Sequence, residues 1–99
     1  MAKAEISWKR RTAEGERLEI YARRVGDRWL FYKRERRIGE YALFENPPLE
    51  DWLELLDSIR RRVARRLLRP EETGRVAKRI HELFPEADIK ERSKEPGDS

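Results

Sequence analysis

Cysteine is missing from the chain, and its absence excludes disulfides, thiol chemistry and any zinc site built on thiolates. That fits a reducing compartment, and a cytoplasmic location is the expectation. Glutamine is also missing, asparagine occurs once at Asn46 and methionine once at the start, while eighteen arginines stand against six lysines. Few thermolabile residues beside dense opposite charges is a thermophile-like composition, and a GC-rich genome would equally favour arginine over lysine. No apolar run approaches the roughly 18 residues that suggest a membrane span. The opening MAKAEISWKRR lacks the apolar segment of a signal peptide, so neither export nor membrane insertion is expected.

Catalytic signatures are equally scarce. The five glycines are scattered at positions 15, 26, 39, 74 and 97, which leaves no glycine-rich phosphate loop. No serine sits in a nucleophile-elbow context. His81 is the only histidine, a neighbour of Lys78 and Glu82 on its helix, with no second histidine at ligand spacing. Carboxylates are numerous, but nearly all have basic neighbours and none forms a recognisable acid and base pair. The expectation is a protein that is not an enzyme, with no catalytic residue, no metal and no cofactor.

What is present is enough for a fold. Ninety-nine residues make one domain that buries roughly two-thirds of its unfolded surface. Charged residues are 44% of the chain, yet three tryptophans, three tyrosines, three phenylalanines and many leucines and isoleucines can build a core. Ile6 and Trp8 alternate with Ser7, Lys9 and Arg11, which marks a half-buried strand from Glu5 to Arg11. After a turn at Ala13-Glu14-Gly15-Glu16, a second strand covers about Arg17 to Val25 and a third Arg28 to Lys33 or slightly beyond. The Gly26-Asp27 loop joins these two through a primed turn, which sets Arg24 opposite Trp29, Arg23 opposite Leu30, Ala22 opposite Phe31 and Tyr21 opposite Tyr32. A short fourth strand is expected from Ile38 to Phe44, with Gly39 leaving its register open. Asn46-Pro47-Pro48 then ends the sheet.

From Leu49 the period becomes helical. Leu49, Trp52, Leu53, Leu56, Ile59, Val63 and Leu67 fall on one stripe at 100° per residue, predicting a helix of about twenty residues between Pro48 and Pro70. A second helix is expected from near Thr73 to Phe84, limited by Pro85. The fold class is therefore α+β: an antiparallel three- or four-stranded β-meander, then a long helix packed on one sheet face, then a shorter C-terminal helix. Residues 1 to 84 form the single domain and residues 85 to 99 a flexible charged tail.

The helix is expected on the apolar face of Ile6, Trp8, Leu18, Ile20, Ala22, Trp29 and Phe31. The opposite face then carries Lys9, Arg11, Tyr21, Arg23, Leu30, Tyr32 and Arg34. Rings between cations suit single-stranded nucleic acid, because bases stack on the rings and cations take the phosphates. Net charge is +4, and the first 46 residues hold twelve basic and eight acidic side chains while the rest balance. The same residues also make good solvent-face strand positions, with Tyr21 and Tyr32 a stabilising cross-strand pair and Glu19 offsetting Arg34. A second basic cluster, Arg61, Arg62, Arg65 and Arg69, lies opposite the apolar stripe of the long helix and could grip phosphates. Acids at the start of that helix and bases at its end also match the helix dipole, and that match accounts for the order without a ligand.

Two functions compete. One is a small basic module that binds single-stranded DNA or RNA with low sequence specificity. The element order over roughly residues 5 to 68, a four-strand meander and then a helix, resembles the Whirly and Pur-type single-stranded DNA binders, with no diagnostic motif matched. Those folds form dimers or tandem repeats, so the resemblance implies a homodimer and transfers no residue roles. The other is a non-enzymatic protein-interaction, regulatory or assembly domain, again homodimeric, whose Leu30, Tyr41 and Leu43 pack on a protein partner, since aromatics and arginines also form interface hot spots.

Overall fold

The computed structural model describes residues 5–26, 28–35 and 39–87. Asp27 of the hairpin loop, Ile38 at the expected start of the fourth strand, and the expected tail from residue 88 onward lie outside the described residues. The chain forms an α+β fold of a four-stranded antiparallel sheet followed by two helices, the longer one first. It divides into two compact units, Met1–Pro47 and Pro48–Ser99.

In the first unit the strands are β1 (Glu5–Arg11), β2 (Arg17–Val25), β3 (Arg28–Arg34) and β4 (Ala42–Leu43), in the order β1-β2-β3-β4. Their alternation explains the sheet's two faces. Ile6 stands opposite Ala22 and Trp8 opposite Ile20, and across the hairpin Ala22 meets Phe31 and Arg24 meets Trp29. Ile6, Leu18, Ile20, Ala22, Trp29 and Phe31 are buried, and the Trp8 ring meets Phe31 edge-on at 6.1 Å. All four cross-strand pairs expected around the Gly26 turn are present, Arg23 with Leu30 and Tyr21 with Tyr32 among them. Gly26 adopts φ +67°, a left-handed conformation that glycine enters without a Cβ penalty.

The fourth strand is shorter than expected. Instead of Ile38 to Phe44 it comprises Ala42–Leu43, extended by the Phe44 N–H donating to the Phe31 carbonyl at 2.8 Å. Gly39 explains the late start, because its φ of +116° departs from extended geometry. The register sets Leu43 opposite Tyr32 and Ala42 opposite Lys33.

The second unit holds α1 (Leu49–Ala64) and α2 (Glu71–Leu83), which contact each other. α1 is sixteen residues long, not about twenty. It ends where Arg66 turns left-handed at φ +64°. The Leu67 N–H donates to the Arg62 carbonyl at 2.8 Å and the Arg66 N–H to the Val63 carbonyl at 2.9 Å, the paired bonds of a Schellman ending. Leu67 is thereby carried off the apolar stripe and is 60% exposed. The buried face of α1 is instead Trp52, Leu55, Leu56 and Ile59, with Asp51 and Ser58 at its sides. α2 begins two residues before Thr73, with Pro70 in the capping position and Glu71 and Glu72 in its first turn, and it buries Val76 and Ile80.

Candidate nucleic-acid interface

The registers place Lys9, Arg11, Tyr21, Arg23, Tyr32 and Arg34 on one face of the sheet, as the alternation required. They stand in rows across the strands. Arg11 pairs with Arg17; Lys9 continues to Glu19 and Arg34; Ser7 continues to Tyr21, Tyr32 and Leu43; Glu5 continues to Arg23 and Leu30. Six cations share this face with two acids, Glu5 and Glu19, the sixth being Arg28 opposite Val25.

At its centre is an aromatic cluster. The Tyr21 and Tyr32 rings stack with centroids 4.9 Å apart and planes 16° from parallel. Tyr41 meets Tyr21 at 4.8 Å and 83°, an edge-to-face contact that continues the cluster toward β4. The stack occupies one face of Tyr21 and one of Tyr32, so at most one face of each remains for another planar group.

Beside the rings lies an ion pair. Arg34 donates from Nε to the Glu19 carboxylate at 3.1 Å and from Nη2 to the same oxygen at 2.5 Å, and the Tyr41 hydroxyl donates to that oxygen at 3.3 Å. The guanidinium also lies over the Tyr41 ring at 4.6 Å. Hydrogen bonding from Arg34 holds the Glu19 carboxyl below its usual range, helped by the nearby charge of Lys9. The same bond raises Arg34, while partial desolvation is the largest influence raising the Tyr41 hydroxyl. Arg34 therefore has the anticipated structural partner in Glu19, but Glu19 is buried in the pair and not solvent-facing.

The remaining cations are less engaged. Arg11 donates from Nη1 to the Gly15 carbonyl at 2.9 Å, which ties it to the β1–β2 turn and, among the described residues, leaves its other guanidinium hydrogens available. Arg17 sits directly opposite Arg11 and is exposed, with no ion pair to it among the described residues. Opposed like charges destabilise a strand pair, so this end of the sheet would be relieved by an anion. Arg17 is not among the site residues expected from sequence, although the same alternation that selects Arg11 selects it. Tyr41 could not be placed from sequence because β4 had no fixed register.

The second basic cluster is not one helix face. Arg61 and Arg62 lie in the last turn of α1, Arg65 is its C-cap, and Arg69 belongs to the connection to α2. The expected alignment of all four opposite the stripe fails because α1 stops at Ala64. Arg61 is already paired with Asp57, four residues earlier, and donates to the Ser58 hydroxyl at 3.2 Å. Arg62 is half-buried, whereas Arg65 and Arg69 are exposed. His81 is exposed on α2, and no group of three or more metal-ligating side chains occurs among the described residues. No helix among these residues is long and apolar enough to cross a membrane. Comparison with models of protein families, with curated proteins and with solved structures finds no match.

Proposed function

We propose that the chain is a small nucleic-acid-binding module that takes single-stranded DNA or RNA on the exposed tyrosine and arginine face, with low sequence specificity. The observation carrying this reading is the tyrosine cluster of Tyr21, Tyr32 and Tyr41 set among Lys9, Arg11, Arg17 and Arg23 on one sheet face. Bases stack on the ring faces that the Tyr21–Tyr32 pair leaves open, and the four cations take the phosphates on either side. Arg34 belongs to the site as the group that holds Glu19 and Tyr41 in place. Arg61, Arg62, Arg65 and Arg69 provide a second phosphate-contacting surface, in which Arg65 and Arg69 are the more accessible. Low specificity follows from the mechanism, because every base has a face to stack and every phosphate is alike. In this reading the protein is a cytoplasmic binding module, not an enzyme, and needs no cofactor.

The test is the double substitution Tyr21→Ala with Tyr32→Ala. Affinity for single strands should fall by about 1 to 3 kcal/mol for each base that no longer stacks, with the circular dichroism of the sheet retained. Unchanged affinity in a folded variant would end the stacking reading.

A protein partner is the second reading, favoured by Leu43 and Tyr41, which are 51% and 36% exposed beside Tyr32. An assembly domain would show concentration-dependent self-association or partner binding with no affinity for polyanions.

A further inference from the structure

The two edges of the sheet differ in what they offer another strand. β4 presents two residues, while β1 presents seven, Glu5–Arg11, in unbroken register with β2 and without glycine or proline. The turn shows which backbone groups of β1 face outward. The Thr12 N–H donates to the Glu16 carbonyl at 2.8 Å, and Thr12 continues the β1–β2 register, so the hydrogen-bonded positions of β1 are Ile6, Trp8 and Arg10. Glu5, Ser7, Lys9 and Arg11 therefore direct their N–H and C=O groups away from β2. No strand among the described residues pairs with them.

An open edge of this length is a template for a further strand, and basic side chains along it are a common guard against unwanted pairing. Here the charges oppose parallel pairing, and the apolar residues choose between the antiparallel registers that match Glu5 with a cation, since pairing centred on Trp8 would set Ile6 opposite Arg10. Parallel in-register pairing of two copies would bring Lys9 against Lys9 and Arg11 against Arg11. Antiparallel pairing centred on Ser7 instead brings Glu5 of each copy opposite Lys9 of the other and Ile6 opposite Trp8. It uses only the outward-facing positions for hydrogen bonding and keeps equivalent sheet faces on the same side.

We propose that β1 is a homodimerisation edge: it pairs antiparallel with β1 of a second copy of this chain, with Ser7 on the two-fold axis. The interface is isologous, so the favourable Glu5–Lys9 pair occurs twice. Three residue pairs exchange backbone hydrogen bonds, namely Ser7 with Ser7 and the two Glu5–Lys9 pairs. The dimer is an eight-stranded sheet whose two tyrosine clusters share one face. This goes beyond nucleic-acid binding and does not depend on it.

Two measurements, both without nucleic acid, test the pairing. In the first, Ser7→Cys supplies the chain's only cysteine. Opposed residues at a hydrogen-bonded pair have Cα atoms about 5.5 Å apart, within the range a disulfide spans. Ser7→Cys should thus oxidise to a covalent dimer. Lys9→Cys should not, since in this register its counterpart lies four residues, or about 13 Å, along the strand. In the second, sedimentation equilibrium follows charge reversals at the exposed Glu5 and Lys9. Glu5→Lys and Lys9→Glu should each weaken association about tenfold, and the two together should restore it to within about threefold, because each change acts on two opposed pairs. Wild-type protein that remains monomeric, a double reversal that does not recover, or equal cross-linking through positions 7 and 9 would each overturn the proposal.

Discussion

Arg66 occupies at the end of α1 the position that glycine most often fills. Its left-handed φ of +64° costs an L-residue about 1 to 2 kcal/mol, against roughly 0.5 to 1 kcal/mol for the added unfolded-state freedom of glycine. Arg66→Gly should accordingly raise stability by about 0.5 to 1 kcal/mol, read as a shift in the urea midpoint with an unchanged slope. Glu19 makes a prediction of opposite kind. Its carboxyl is held low by Arg34, so its contribution to stability is present above the ordinary glutamate range and is lost as pH falls through the lowered folded value. The melting temperature of wild-type protein should fall more steeply between about pH 5 and pH 3 than that of Glu19→Gln. Parallel curves would mean that the ion pair does not couple to folding. The Glu19–Arg34 pairing was legible from the hairpin register, because Glu19 stands directly opposite Arg34. The left-handed turn at Arg66 was not, since neither glycine nor asparagine marks it.

At the scale of elements, the hairpin was the most readable part of the sequence. Its short loop and alternating apolar residues left one register that buries Ala22, Trp29 and Phe31 together, and that register then fixed the aromatic and basic face. β4 and the end of α1 depart from their side-chain patterns for a common reason. In both, backbone conformation at one residue, Gly39 or Arg66, overrides side chains that would continue the element. Burial also separates the strands energetically. Ile20, fully buried at the centre of β2, should cost about 2 to 5 kcal/mol when changed to alanine. Leu43→Ala, on an exposed two-residue edge strand, should stay within about 0.5 kcal/mol. Denaturant titration of the two variants checks the contrast, and comparable losses would mean that β4 contributes more to the sheet than its length suggests.

For the whole molecule, the charge is unevenly distributed: the net +4 resides in the sheet half, where Arg11 stands directly opposite Arg17. Such a surface attracts polyanions at long range and does so less as salt rises. The decisive measurement is anisotropy binding of labelled single-stranded DNA, single-stranded RNA and duplex DNA over a salt series, for wild-type protein and for Lys9→Ala, Arg17→Ala and Arg23→Ala combined. The account predicts saturable single-strand binding that weakens steeply with salt, and a slope reduced by about 2 in the triple variant, at about 0.7 for each phosphate left without its cation. Absence of binding at low salt, or a slope that the triple variant leaves unchanged, would contradict it.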